Sequence, residues 1–420
     1  DLVLRVGKKK EHLGSFMTIR HLSTTKQVSV VIETFKSNGP LIQVDYHSFR
    51  KVESGDRGIN LGDAFLLLGI KIEDIPKFFK LMIFGDDVSE NEIFSVIRYT
   101  LSIANRNIDD CKKINRANDR EAYNLPVETG SRIAYENFLA DLFPQIKNNQ
   151  TKACMLAYMT IRGIRAYLGK DEIDDQNKTS NKQFQTPANV IEKLVQQLWR
   201  KIRQEINEEI NSPSVNSASA IANIILSKSK ITNRIIDSFN TGRWGPENDP
   251  QTGVVEETSR ELGIVPIINR LTRIVVSGGR KKSSVKVESR MVDPEQTGVV
   301  CYFTTPDSDQ IGKTRNLSWA TRISLEVDGN SIINFIVSQI KNLISPLHIH
   351  DKGENIGLIF INAYPIGWGN LTTVFEAVRN LRRQGKIKHL NKGKLESYFE
   401  LSLGIRNGCL WMNTSSGRAY

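Results

Sequence analysis

Long apolar runs are missing from this sequence. Stretches such as AFLLLGIKI and IGLIFINAY stop well short of the roughly 20 residues that a membrane-spanning helix needs. No segment reads as a secretory signal peptide. Cysteine is scarce: Cys111, Cys154, Cys301 and Cys409 lie far apart, and none forms a C-x-x-C pair. That spacing excludes a zinc ribbon or a dithiol redox centre and fits a reduced, intracellular chain. Self-similarity at a period of about 20–50 residues is also absent, which argues against a solenoid or propeller.

What is present begins with length and charge. The 420 residues leave room for about two to four domains and a sizeable core. Lys and Arg number 57 against 46 Asp and Glu, a net charge of +11, and the pI is about 9.3. A balance of that sign favours a polyanionic partner such as nucleic acid. The chain opens in mid-pattern on DLVLRVGKKK, without a methionine, which points to a piece of a longer polypeptide.

QVSVVIET, SNGP and LIQVDY alternate β-branched residues around a Gly-Pro turn and predict a hairpin. LGDAFLLLGI predicts a short helix. Ser89 and Glu92 form a capping-box pattern ahead of Ile93, Val96, Ile97 and Leu101, so a second helix starts there. In KACMLAYMTIRGIRAYLG, Ala157, Ile161, Ile164 and Leu168 recur at three-and-four spacing, predicting an amphipathic helix that ends near Gly169. Thr186-Pro187 opens another helix, with a stripe of Ile191, Leu194, Leu198, Ile202 and Ile206. From Phe239 the texture turns rich in Gly, Pro and Asn, which places a domain boundary near there. The following region reads as β-rich as far as GLIFINAY, and a late helix from about Thr372 to Gln384 ends at Gly385. The fold class is therefore α+β.

Three segments invite chemistry. TTPDSDQIGKTRNLS, residues 304–318, contains Gly312, Lys313 and Thr314, the end of a phosphate-cradling G-x-x-x-x-G-K-[ST] loop. The first glycine of that motif is replaced by Asp307, with Asp309 nearby; carboxylates there would repel phosphate by about 1 kcal/mol or more. HIHD could place His348 and His350 on one strand face, but no third ligand stands at a convincing spacing. Surface or packing histidines are the plainer reading, and no metal site is expected. Between Arg270 and Arg290 lie Arg273, Arg280, Lys281, Lys282 and Lys286, with Glu288 the lone acid. With Gly278 and Gly279 allowing close approach, this run suits phosphate contacts that fix position without reading bases. A solvated charged face is the competing reading.

The order of these pieces resembles the second-largest, β-like subunit of multisubunit DNA-directed RNA polymerases. RMVDPEQTGVVCYFTTPDSDQIGKTRNLS is similar to the family's arginine, Gly-x-Val-Cys strand, Thr-Pro-Glu-Gly turn and Asn-Leu-Ser, with Arg290, Gly298, Cys301, Thr305, Pro306, Gly312, Asn316 and Leu317 in register. TGRWG, GIVPIINR, GGRKK, KACMLAYMTIRGIRAYL, DDQNKTSNK and VFEAVRNLRRQGKI are similar to further family segments in the same order. On this resemblance the Gly-Lys-Thr is coincidental, and the bend before it belongs beside an active centre.

The resemblance implies a lobe over residues 1–183, a returning part of the protrusion over 184–240, a fork over 241–325 and an external domain over 326–420. Arg270, Arg280, Lys281 and Lys282 would contact nucleic-acid phosphates, while Arg290 and Asp307 would line the catalytic end near the incoming nucleotide. Partners would be the largest subunit, smaller subunits, DNA template, RNA transcript and nucleoside triphosphates. Mg²⁺ would be held mainly by the largest subunit and none by this chain, which alone would be inactive. The setting would be the nucleus, or the cytoplasm or virion for a viral enzyme. Asp307 shortens the family's glutamate, Ser308 replaces its glycine, and Asp293 and Gln296 stand where cellular members carry histidines. Such drift suits a viral or plasmid-borne member. The rival reading is a non-catalytic nucleic-acid-binding structural protein.

Overall fold

The computed structural model describes residues 2–7, 16–23, 26–35, 39–46, 58–83, 89–105, 107–119, 126–171, 184, 186–210, 231–242, 244, 263–275, 290–307, 311–324, 329–347, 355–384, 389–391, 394–396, 402–406, 408–414 and 417–419. The chain divides into two compact units, Asp1–Gln176 with Leu325–Ser415, and Asn177–Ser324 with Ser416–Tyr420.

The first unit opens with a five-stranded antiparallel meander, β1 (Leu2–Gly7), β2 (Phe16–Ser23), β3 (Lys26–Phe35), β4 (Gly39–Asp45) and β5 (Ile59–Asn60), in that spatial order. The expected hairpin is β3–β4, whose register sets Val30 opposite Val44 and Ile32 opposite Ile42. Period-2 alternation sends these four side chains into one buried core. Six helices follow: α1 (Leu61–Leu67), α2 (Ile75–Met82), α3 (Glu90–Ile103), α4 (Ile108–Asn118), α5 (Val127–Asp141) and α6 (Asn149–Tyr167). The capping box of α3 is complete: the Ser89 amide donates to Glu92 Oε2 at 2.8 Å and the Glu92 amide to Ser89 Oγ at 3.3 Å. Thr100 ties α3 to the sheet, accepting from the Ile42 amide at 3.0 Å and donating to the Pro40 carbonyl at 3.2 Å.

Helix α6 corrects one expectation. It ends where its sequence says, with Gly169 at φ +72°, but it is buried on every side from Thr151 to Ala166 rather than amphipathic. Its polar residues are accommodated individually: Lys152 Nζ donates to the Leu139 carbonyl, and Arg165 pairs with Asp171 at 2.9 Å. A stripe of apolar residues marks the face that must be buried, but it says nothing about whether neighbours also cover the other face.

In the second unit, α7 (Pro187–Ile210) begins at the expected proline. Helix α8 (Ile231–Thr241) stops at Gly242, φ +67°, and its Phe239 meets Trp244 edge-on at 5.0 Å. Helix α9 (Ile264–Leu271) then leads into β6 (Arg273–Val275), which pairs antiparallel with β7 (Thr314–Asn316).

The first unit resumes with α10 (Gly329–Ile340), β8 (Ile344–Pro346), β9 (Ile356–Ile361), β10 (Tyr364–Asn370), α11 (Leu371–Arg383), β11 (His389–Asn391), β12 (Lys394–Glu396), β13 (Ser402–Arg406) and β14 (Cys409–Asn413). A second sheet runs β13-β14-β9-β10-β8, parallel only at β14–β9 among its described pairs. Alternate residues of β9 serve two cores. Leu358 and Phe360 join the core that contains α6, whereas Ile359 and Ile361 pack with Val374 and Val378 of α11 and Ile336 and Ile340 of α10. The late helix lies close to its expected span, and Gly385 falls outside the described residues. Helices α9 and α10 escaped the β-rich reading because Ile and Val favour strands locally, while their i, i+4 spacing, as in Ile336 and Ile340, is helical. The α+β class holds throughout.

Candidate functional site

The site is built around β7. Leu317 donates to the Thr272 carbonyl at 2.9 Å, Cys301 to the Asn316 carbonyl at 2.9 Å, and Ser318 to the Val299 carbonyl at 2.8 Å. Residues 299–301 thus pair along one side of residues 316–318, while β6 pairs with β7. Strands this short bury little, so side-chain bonds hold them. Buried Asn316 donates through Nδ2 to the Asn269 carbonyl at 2.6 Å, to Asn269 Oδ1, and to Thr272 Oγ1 at 3.2 Å. One amide therefore fixes the end of α9 against β7.

Gly312 rules out a phosphate loop. A phosphate loop must run from its glycines into a helix whose N–H groups face the anion, but Lys313 is buried and Thr314 begins strand β7. Gly312 has φ +69° and lies against Arg290: an added Cβ would sit 2.7 Å from the Arg290 carbonyl oxygen and 2.9 Å from its Cβ. The Gly312 amide donates to Thr305 Oγ1 at 2.8 Å. These contacts bring together the Thr-Pro-Asp bend, the glycine turn and Arg290. They enclose a cleft of about 430 Å³, whose lining includes Arg290, Met291, Tyr302, Thr305, Ile311 and Arg315.

The expected site residues fare differently. Arg290 is half-buried and lines the cleft. Asp307 is exposed, two residues past Thr305, and is not among the cleft's lining residues. Arg270 is half-buried in the last turn of α9. Arg280, Lys281 and Lys282 lie outside the described residues, as do His348 and His350. Asp293 caps the short helical turn Pro294–Gln296, its Oδ1 accepting from the Glu295 amide at 3.0 Å.

Arg315 went unnoticed in the sequence. It is buried, and its guanidinium donates to Gln296 Oε1 at 2.6 Å, to the Met291 carbonyl at 3.2 Å and to the Arg290 carbonyl. Burial lowers its pKa from the ordinary arginine value. Cys301 is also shaped by its surroundings: the Thr304 hydroxyl donates to its sulfur at 3.1 Å, and that bond, with the amides of Phe303 and Thr304, holds the thiol below its usual range. Among the described residues no group of three or more His, Cys, Asp or Glu could hold a metal ion, and no helix is long and apolar enough to cross a membrane.

The family model described as RNA polymerase Rpb2, domain 3 matches residues 262–323, the segment that carries this site. DNA-directed RNA polymerase III subunit RPC2 of Drosophila melanogaster is 25% identical over 303 residues, covering 70% of this chain and 25% of that relative. DNA-directed RNA polymerase subunit Rpo2 of Saccharolobus solfataricus is 24% identical over 329 residues, or 75% of this chain and 28% of the relative. A probable DNA-directed RNA polymerase II subunit RPB2 homolog of Invertebrate iridescent virus 3 is 24% identical over 240 residues, 56% of this chain and 20% of the relative. The chain spans about a quarter of the length of the curated relatives it matches. The domain match and these relatives make the chain similar to RNA polymerase second-largest subunits, with the first two covering 70–75% of it.

Proposed function

We propose that this chain is the part of a DNA-directed RNA polymerase second-largest subunit that positions template DNA, the RNA–DNA hybrid and the incoming nucleotide. One coincidence carries the reading: the family-matched segment 262–323 is also where Arg290 and Thr305 meet across a cleft beside the Thr-Pro-Asp bend. Residues 1–183 form the lobe, 184–240 the returning protrusion, 241–325 the fork and 326–420 the external domain.

Arg290 and Asp307 line the catalytic end, and Arg270, Arg280, Lys281 and Lys282 meet nucleic-acid phosphates. Their contribution is placement and charge complementarity, which lower a phosphoryl-transfer barrier without covalent chemistry by the protein. Paired Mg²⁺ ions supply the electrophilic chemistry in the assembled enzyme, held mainly by the largest subunit. Without the other subunits this chain is inactive. The largest and smaller subunits, DNA, transcript and nucleoside triphosphates are its partners, in a nucleus or, for a viral enzyme, in the cytoplasm or virion.

Arg290→Ala in the assembled polymerase tests the reading: elongation slows while assembly is retained. Normal elongation removes Arg290 from the site. Charge reversal at Lys281 and Lys282 shortens complex lifetime and makes it less dependent on salt, because fewer phosphate contacts release counterions. Unchanged salt dependence counts against a hybrid-facing loop; the rival reading is a structural nucleic-acid-binding protein outside any polymerase.

A further inference from the structure

Resting on that reading, we propose that Arg315 is the positioning residue of this site, fixing the backbone at Arg290 so that the Arg290 side chain enters the cleft. All partners of the Arg315 guanidinium among the described residues are neutral oxygens: Gln296 Oε1 at 2.6 Å, the Met291 carbonyl at 3.2 Å and the Arg290 carbonyl. A buried cation without a carboxylate is a poor source of stability, since desolvation offsets much of what its bonds return. What this arrangement achieves is geometric. One planar fork bonds two consecutive carbonyls and a side-chain amide from the turn after them, so residues 290–296 cannot rotate away from β7 without losing three bonds.

The opposite side of Arg290 is equally confined. Gly312 packs against its backbone with no room for a Cβ, and the Gly312 amide bonds Thr305. Arg315, Arg290, Gly312 and Thr305 therefore form one continuous series of contacts, which places the arginine and the Thr-Pro-Asp bend relative to each other. Lysine at position 315 keeps the charge but has no planar fork to span these acceptors.

The test uses the assembled polymerase with its complete second-largest subunit, carrying Arg315→Lys, Arg290→Ala or both. Arg315→Lys lowers the maximal elongation rate by about 10- to 100-fold, the cost of misplacing a catalytic group by about an ångström. It also speeds amide hydrogen exchange over residues 290–297. In the Arg290→Ala background the same substitution adds little further loss, because the two act as a unit. Gln296→Ala removes one of the three bonds and carries the same test at smaller amplitude if Arg315→Lys fails to assemble. Unchanged exchange overturns the proposal, and so does an elongation defect of equal size with or without Arg290. A silent Arg290→Ala removes Arg290 from the site and, with it, this proposal; a defective Arg290→Ala beside a normal Arg315→Lys overturns the positioning role alone.

Discussion

The two compact units are held together differently. In the first, Phe65, Phe79, Phe138, Phe143, Tyr158, Phe360 and Trp368 are all essentially enclosed, and Phe360 lies flat on Trp411 at 4.2 Å and 6°. Among the described residues of the second, the enclosed apolar side chains are Leu194, Ile202 and Val300, while Ile264, Leu271, Phe303 and Trp319 are at least 74% exposed. Both units bury polar side chains, but beside so few enclosed apolar ones Gln296, Lys313, Arg315 and Asn316 weigh more in the second, several of them in directional bonds across the site. Burial by area is tolerant of small shifts, whereas hydrogen bonds have narrow distance and angle limits. The unit that carries the candidate site thus uses the interaction that specifies geometry most closely.

The contrast breaks if an aromatic deletion in the first unit is mild. Phe360→Ala, which removes contacts to both Trp411 and Tyr158, is expected to cost about 3–5 kcal/mol, read from the denaturant midpoint. A loss below about 1 kcal/mol would mean that the sheet collapses around the gap and its packing is not specific.

Alkaline titration comes next. Burial pushes the thiols of Cys154 and Cys409 from 9.0 up to about 11 and, with Asp63 nearby, Cys111 to about 12. Burial also raises Tyr158 well above its ordinary value. A group whose folded pKa is raised stabilises fully below its unfolded pKa and loses that contribution as pH climbs to the folded value. The first unit therefore weakens as pH rises from 9.0 to about 11, as equilibrium unfolding at stepped pH would record. Cys301 shifts the other way and is partly exposed, so it reacts with iodoacetamide ahead of the other three. Equal labelling by peptide mapping would erase this difference between the units.

Asn316→Ala probes the polar side. It deprives three oxygens on α9 and its C-terminal turn of a donor, a cost of about 1–3 kcal/mol. Faster exchange should stay within 262–323, and spread into the first unit's sheets would contradict the division. The smallest expected effect is favourable. Asn362 and Ala363 make the two-residue β9–β10 turn at φ +49° and +61°, a left-handed geometry that suits glycine better than alanine. Ala363→Gly should stabilise by about 0.5–1 kcal/mol, visible as a higher Tm, whereas Asn362 is already tied to Thr414 by bonds of 2.7 and 2.8 Å.

Elements governed by neighbours in sequence were the legible ones. The β3–β4 hairpin, the Ser89–Glu92 capping box, the proline start of α7 and the end of α6 near Gly169 each depend on residues a few positions apart. The site was legible only through its resemblance to a family, which supplied Arg290, Gly312 and Asn316. Arg315 carried no local signal, since its partners lie 19 to 25 positions away, and nothing in a chain's periodicity reports a bond across that gap.

By itself, the sequence determined the β3–β4 hairpin, the capped starts and glycine ends of several helices, the basic balance that favours a polyanion, and the family motif that surrounds Arg290. Only the tertiary structure decided that α6 is enclosed on all sides, that β9 divides its residues between two cores, and that Gly-Lys-Thr enters a strand instead of a helix. Local preferences act over a few residues of chain, but burial and hydrogen-bond partnership depend on what distant segments bring to the same place.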